Sequence, residues 1–140
     1  SIWIYSAQQQ STNPMEVVEE KTDSIPGVLD VINFPVKSTL GEYRYNGPID
    51  ATEQPHGLGE AIFTDGRKYK GYFIKGVLSG QNSYFQYPNG DVFEGTFKDN
   101  SFYEGKYTIA EDGSYFSGTF KDGQPDKGTW YDKNNKIITE

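Results

Sequence analysis

Glycine recurs at a fixed period inside segments of this chain that otherwise alternate like β-strands. In DVFEGTFKDN, Asp91 to Asn100, alternation places Phe93, Gly95 and Phe97 on one face of a strand. A glycine within a strand packs no side chain of its own, and it marks a place where another group comes very close. We expect that group at Gly95 to be an aromatic ring from the neighbouring strand.

The pattern aromatic-x-Gly-x-Phe occurs three times, and a weaker copy, YNGPI, precedes it. The glycines Gly47, Gly71, Gly95 and Gly118 stand 24, 24 and 23 residues apart, and a second series, Gly57, Gly80, Gly105 and Gly128, has spacings of 23, 25 and 23. Such a period is the signature of a repeat architecture. The residues predicted to build the repeat are Tyr45, Gly47, Tyr69, Gly71, Phe73, Phe93, Gly95, Phe97, Phe116, Gly118 and Phe120.

Turn signals divide each repeat into two strands. Asp-Gly and Asn-Gly pairs, typical of two-residue hairpin turns, end at Gly66, Gly90 and Gly113. A second set of turns is predicted at Lys75-Gly76, Asp99-Asn100 and Asp122-Gly123. Two turns in each unit leave room for two strands of roughly 5–8 residues. The sequence therefore predicts an all-β fold, an elongated single-layer antiparallel β-meander of about eight strands over residues 41–140.

These units resemble the MORN (membrane occupation and recognition nexus) repeat family, whose pattern is Tyr-x-Gly-x-Trp/Phe, a turn, Gly-x-Gly and a short strand ending in Asp-Gly. The resemblance covers about four repeats in residues 41–140, and EQPHGLGEAIFTDGRKYKGYF matches nearly throughout. At the second glycine of Gly-x-Gly only Gly59 matches, and we align Asn82, Tyr107 and Trp130 with it in later units. The resemblance implies a curved single-layer sheet that is used for interaction and not for a fixed chemistry.

Residues 1–40 lack the repeat and form a separate N-terminal segment. NPMEVVEE, which begins at Asn13, is typical of a helix start, with an acidic linker as the alternative. GVLDVINFPV, which begins at Gly27, would either add a strand or cover the edge of the first hairpin.

The apolar run SIWIYSA, Ser1 to Ala7, has two interpretations. The remnant of a signal peptide or membrane anchor would indicate a secreted, periplasmic or membrane-anchored protein. A strand with Trp3 and Tyr5 on one face would instead pair with an exposed sheet edge.

Composition argues against most chemistry. The net charge of −7 disfavours nucleic acid and anionic membrane surfaces as partners. The chain has no cysteine, and its single histidine, His56, is best interpreted as a structural turn residue. We therefore expect no catalytic residue, no metal site and no cofactor, and we interpret the turn carboxylates as solvated.

Two functions from different classes fit the repeat. The first is a non-enzymatic module for protein–protein interaction or assembly, at the cell envelope if Ser1 to Ala7 is a signal remnant, with self-association through a sheet edge as one form. The second is a glycan-binding module that stacks sugars on an aromatic face. The candidate interaction surface comprises Tyr72, Tyr115, Trp130 and Tyr131. The glycan hypothesis weakens if neighbouring side chains cover the row of Tyr69, Phe93 and Phe116.

Overall fold

The structure is a computed structural model, and it describes residues 28–138. In this part of the chain, nine antiparallel strands form one open sheet whose spatial order follows the sequence. The strands are β1 (Leu29–Ser38), β2 (Gly41–Ile49), β3 (Gly57–Phe63), β4 (Lys68–Ile74), β5 (Val77–Gln86), β6 (Val92–Lys98), β7 (Ser101–Thr108), β8 (Tyr115–Lys121) and β9 (Gln124–Tyr131). The predicted all-β meander is confirmed. The predicted helix at Asn13 and strand at Ser1 to Ala7 lie outside the described residues.

Strand β1 resolves the alternatives for residues 27–36, because it adds a strand to the sheet. It pairs with β2 from Leu29 opposite Ile49 to Ser38 opposite Gly41. A bulge interrupts this pairing at Asn33, which has a φ of 58° and whose amide donates to Asn46 Oδ1 over 2.7 Å. The sheet therefore begins before residue 41, and β2 to β9 are the eight strands predicted beyond it.

The two sets of turns differ from their predicted forms. The tight turns are Lys75-Gly76, Asp99-Asn100 and Asp122-Gly123, where both residues of each pair have positive φ, as a two-residue type I′ hairpin requires. The Asp-Gly and Asn-Gly pairs instead lie within longer loops, Thr64 to Arg67 being the first. In that loop the Phe63 amide donates to the Arg67 carbonyl over 2.8 Å. The prediction of two-residue turns ending at Gly66, Gly90 and Gly113 was therefore wrong.

A continuous series of aromatic rings runs across the inner face, which we define as the face carrying the buried aromatic rings. The first aromatic of each repeat packs edge-to-face against the phenylalanine of its own repeat, of the next repeat, or of both. The centroids of successive rings are 5.0–5.4 Å apart at interplanar angles of 78–88°. The series is Tyr45, Phe73, Tyr69, Phe97, Phe93, Phe120 and Phe116. Edge-to-face packing of this kind adds about 0.5–1.5 kcal/mol per pair beyond the area buried.

These rings form the core of the protein. Tyr45, Tyr69 and Phe93 are each 0% exposed. A flat single layer would leave its side chains open to solvent on both faces. In this single layer the rings are buried because they pack against one another.

The close approach at Gly95 does not involve a ring, and the prediction for that residue was wrong. A Cβ at Gly95 would collide with the carbonyl oxygen of Glu104 and lie 2.6 Å from Gly105 Cα, because β6 and β7 approach closely there. Rings do lie close to other glycines of the sheet, among them Gly59 and Gly128. A Cβ at Gly59 would be 2.5 Å from the Tyr45 ring, and a Cβ at Gly128 would be 2.7 Å from the Phe116 ring.

Strand pairing also corrects the repeat alignment. Tyr107 lies opposite Phe93 and Trp130 lies opposite Phe116, so both occupy the position that Ala61 takes opposite Tyr45. The equivalents of Gly59 are therefore Ser83, Gly105 and Gly128. In β5 the alignment failed because a bulge between Gly80 and Ser83 contains Asn82, and in β7 and β9 it failed because Gly105 and Gly128 take the position of Gly59 and not that of Gly57.

We predict that the two kinds of glycine respond differently to alanine. Gly59→Ala should destabilise the protein by about 1–3 kcal/mol through overpacking, and Tyr45→Leu should relieve much of that loss because the three atoms nearest to the new methyl group all belong to Tyr45. Gly95→Ala should destabilise similarly, but Phe93→Leu should bring no relief because backbone obstructs it. Urea unfolding of the single and double variants measures the coupling energy of each glycine with its ring. Equal coupling energies for the Gly59–Tyr45 and Gly95–Phe93 pairs would contradict the distinction between a ring and the backbone as the obstructing group.

A second prediction concerns two buried tyrosines. Tyr43 Oη has no hydrogen-bond partner among residues 28–138, whereas Tyr69 Oη donates to the Tyr72 carbonyl over 2.7 Å. Tyr43→Phe should therefore be neutral or stabilising, and Tyr69→Phe should cost about 0.5–1.5 kcal/mol. Urea unfolding at neutral pH compares the variants.

The buried hydroxyls of Tyr43 and Tyr69 also predict that the folded protein loses stability at alkaline pH. Burial raises the pKa of Tyr43 to about 12, and burial likewise raises the pKa of Tyr69 to about 12. The folded protein thus retains protons that the unfolded chain releases near pH 10, so stability should fall as pH rises from about 10 to 12. Tyr43→Phe should reduce that fall, and an identical pH profile for the variant and the native protein would refute the proposed cause.

Candidate functional site

The outer face of the sheet carries an exposed apolar group, which we call the outer patch. Because Tyr69, Gly71 and Phe73 point inward, alternation turns Lys68, Lys70, Tyr72 and Ile74 outward. The outer patch comprises Leu58, Ile62, Tyr72, Ile74 and Tyr84, which are 60%, 41%, 48%, 53% and 37% exposed. Leu58 lies directly opposite Tyr72 in the pairing of β3 with β4. Strands β3, β4 and β5 therefore expose large apolar side chains on one face, interspersed with Lys68 and Lys70 opposite Ile62 and Tyr84.

Three cations flank the outer patch. Arg44, Ile62 and Lys68 are successive partners across β2, β3 and β4, and Lys70 follows on β4 opposite Glu60. Arg44, Lys68 and Lys70 are exposed. Between residues 28 and 138 the ion pair of Arg67 with Asp65, at 2.8 Å, is the one salt bridge. Glu60 lies on the same face opposite Lys70, and the Arg44 guanidinium donates to the Asn33 carbonyl over 3.3 Å, so the charges beside the outer patch are mixed.

An open groove of about 410 Å³ lies beside the outer patch. Its lining includes Leu58, Tyr84, Lys70, Asn46 and Asn82. The Asn46 amide group donates to Glu60 Oε1 over 3.3 Å, which holds one wall in place. The groove combines an aromatic ring, an aliphatic side chain, two amides and a cation without enclosing a deep cavity.

The aromatic row proposed as a sugar platform is covered. Tyr69 and Phe93 are 0% exposed and Phe116 is 3% exposed, because other rings of the inner face pack over them. A sugar ring has no access to this row. The row of Tyr69, Phe93 and Phe116 is therefore not a platform for sugars.

The four residues of the predicted interaction surface do not come together. Tyr72 belongs to the outer patch, whereas Tyr115 and Tyr131 lie on β8 and β9, where their rings stack at 4.9 Å and 18°. Tyr115 Oη donates to Asn135 Oδ1 over 2.8 Å, and Lys106 Nζ lies 4.4 Å from the centre of the Tyr115 ring. Trp130 packs on the inner face against Phe116, with centroids 5.5 Å apart. Alternation places Trp130 and Tyr131 on opposite faces, so the four residues do not share one face of the sheet.

His56 occupies a structural position in the fold. Its Nδ1 accepts a hydrogen bond from the Lys75 amide over 3.0 Å, which ties the start of β3 to the turn after β4. This contact accords with the interpretation of His56 as a turn residue.

A cluster of hydrogen bonds that the sequence did not predict joins the loop before β6 to the loop after β7. Tyr107 Oη donates to Asp91 Oδ2 over 2.7 Å, and the Ala110 amide donates to Asp91 Oδ1 over 2.9 Å. These hydrogen bonds, that of the Ala110 amide first, hold the pKa of Asp91 below its usual range. Burial, together with the hydrogen bond to Asp91, raises the pKa of the Tyr107 hydroxyl. Each shift favours the form already present at neutral pH, so the pair pins the loop rather than transferring protons.

Residues 28–138 contain no group of three or more His, Cys, Asp or Glu side chains that could hold a metal ion. In the same range, no helix has the length and apolar character that crossing a membrane requires. The sequence matches no protein-family model, and no curated protein is significantly similar to it.

The sequence reasoning identified only Tyr72 of the outer patch. A usable signal was present in YKGYFI, where Tyr72 and Ile74 are apolar at the positions that alternation turns outward. Leu58 and Ile62 repeat the same departure on β3. Apolar residues on both faces of one strand indicate that the outer face also packs against another group.

We predict that the outer patch contributes little to folding. Leu58→Ser and Tyr72→Ser should each change the free energy of unfolding by no more than about 0.5–1 kcal/mol, because both side chains are largely exposed. Phe73→Ser, the adjacent inward position on β4, should be severely destabilising because that ring is 1% exposed. Urea unfolding compares the three, and a large loss for Tyr72→Ser would assign the outer patch a structural role.

Proposed function

We propose that the protein is a non-enzymatic repeat module for protein–protein interaction or assembly, and that it binds its partner through the outer patch. The observation that carries this proposal is the exposed group formed by Leu58, Tyr72 and Ile74. Contiguous exposed apolar side chains rimmed by polar residues are typical of interaction sites. The resemblance of the repeats to the MORN family supports the same class of function.

The form of the sheet favours binding over catalysis. Catalytic sites are usually enclosed and water-excluding, whereas this outer face offers a broad surface with an open groove. Aromatic residues are enriched among the side chains that dominate protein–protein binding energy. Tyr72, paired with Leu58 and flanked by Lys70, is the strongest candidate for such a role.

Self-association through a sheet edge is a second route within the same proposal. The edge strand β1 carries Pro35 and a bulge at Asn33, and the edge strand β9 carries Pro125 and Lys127. Such residues disfavour edge-to-edge pairing. The end of β9 is also occupied, because Ile137 pairs back with Tyr131. The outer face is therefore the preferred contact surface.

Glycan binding is the second candidate function, and the groove beside the outer patch is the observation that favours it. Tyr84 offers a ring on which a sugar could stack, and Asn46 and Asn82 offer amide groups for hydroxyls. This site differs from the buried aromatic row that the sequence suggested.

A photo-crosslinking amino acid at position 72 tests the main proposal. In cells that make the protein it should capture a defined partner, whereas the same probe at Tyr103, which is 47% exposed on β7, should not. The purified partner should then bind the native protein, and Tyr72→Ala should weaken binding by roughly 30-fold or more, as expected for a dominant contact.

The Tyr103→Ala variant serves as the matched control and should bind normally. Light scattering over a concentration series determines whether the partner is a second copy of the chain. A glycan array provides the competing test. Specific oligosaccharide binding that is lost with Tyr84→Ala, together with partner binding that is unaffected by Tyr72→Ala, would overturn the interaction proposal in favour of the glycan site.

A further inference from the structure

We infer that the acidic segment Met15–Asp23 of the same chain docks on the outer patch. This segment precedes the described residues, and its sequence is MEVVEEKTD. Three independent properties support the match: complementary charge, complementary apolar content and the point at which the chain enters the sheet. The docking is argued from these properties alone. Its functional consequence, competition with a protein partner, rests on the proposed function.

The charges of the two surfaces are opposite. The segment carries Glu16, Glu19, Glu20 and Asp23 against a single Lys21. The outer patch is flanked by Arg44, Lys68 and Lys70, which have no carboxylate within salt-bridge distance among residues 28–138. Glu60 lies opposite Lys70, and the carboxylates of the segment would supply the ion-pair partners that these three cations lack.

The apolar content also matches. Met15, Val17 and Val18 stand between the carboxylates of the segment. The outer patch offers Leu58 and Tyr72 as directly paired and exposed partners. Burial of apolar area contributes about 25 cal/mol per Å², so modest coverage of these side chains adds to the electrostatic attraction.

The chain enters the sheet beside the outer patch. Leu29 pairs with Ile49, and Ile49 bridges to Pro55 just before β3 begins. The Pro55 carbonyl accepts from the Gly76 amide over 2.8 Å, immediately after Ile74. Residue 28 and the Leu58–Ile74 end of the outer patch therefore lie at the same end of the sheet.

The length of chain available is sufficient to reach the outer patch. From β1 to β4 the sheet spans three strand spacings, or about 14 Å. The residues between Asp23 and Val28 extend to roughly 16 Å when fully stretched. A tether this short produces an effective concentration in the mM range, so even weak docking populates the bound state.

Paramagnetic NMR on the full chain tests the inference. The chain has no cysteine, so Thr22→Cys accepts a single spin label. The label should broaden the methyl signals of Leu58, Ile62 and Ile74 and leave Ile109, in the loop after β7, at full intensity. Unbroadened Leu58 and Ile74 methyl signals would overturn the docking, whatever partner the outer patch binds.

Charge reversal provides the matched controls. Glu16→Lys, Glu19→Lys and Glu20→Lys together, or Lys68→Glu with Lys70→Glu, should restore the intensities at Leu58 and Ile74. Lys133→Glu with Lys136→Glu, in the exposed loop after β9, should leave the broadening unchanged. Unchanged Ile109 and Leu78 shifts show that each variant is folded. Broadening that survives reversal of Lys68 and Lys70 would overturn the electrostatic match.

A mixed sample distinguishes docking within one chain from docking between chains. Spin-labelled chains without isotope are combined with isotope-labelled chains that carry no spin label. Full methyl intensity at Leu58 and Ile74 in this mixture supports docking within one chain, whereas broadening there assigns the segment to a second copy and overturns the inference. If Tyr72→Ala abolishes partner binding in a chain that shows no broadening, the proposed function stands and only the docking fails.

Discussion

The edge-to-face series of aromatic rings is the interaction on which the rest of the structure depends. A single-layer sheet has no second layer to cover its core, so the rings must cover one another. Tyr69 contacts both Phe73 and Phe97, and Phe93 contacts both Phe97 and Phe120, so each repeat is coupled to the next. Removing one ring would therefore weaken two neighbouring units, as expected for a repeat protein in which each unit contacts only its neighbours.

The glycines and bulges follow from this packing. Rings that cover the sheet need space beneath them, and Gly59 and Gly128 supply that space below Tyr45 and Phe116. Ser83 takes the same position below Tyr69, where its Oγ lies 3.3 Å from Tyr69 Oη. Gly95 serves a different need, because it permits β6 and β7 to approach closely. Similar spacing in the sequence thus conceals two physical roles.

The aromatic rings of the inner face are buried by one another, which leaves the outer face as the proposed binding surface. With Tyr69 and Phe93 completely buried, the aromatic content that made the chain resemble a sugar-binding surface belongs to the core. The outer face then differs from an ordinary solvated sheet face, since Leu58 and Tyr72 are exposed as a pair beside Lys70. The proposed ligand, the acidic and apolar segment Met15–Asp23, would contact both the apolar pair and the lysine.

The sequence by itself determined the class of fold, because the spacing of Gly71, Gly95 and Gly118 and the alternation around them specify hairpins of fixed length. It also marked Tyr69 and Phe93 as repeat-building residues, since their aromatic pattern recurs with that spacing. Only the tertiary structure decided which glycine lies under which ring, because that depends on the register between neighbouring strands, for which the sequence carries no clear signal. The tertiary structure alone showed that Trp130 packs beside Phe116 while Tyr131 packs beside Tyr115. It alone showed that Leu58 lies opposite Tyr72, since the grouping of side chains on a sheet depends on the register between strands.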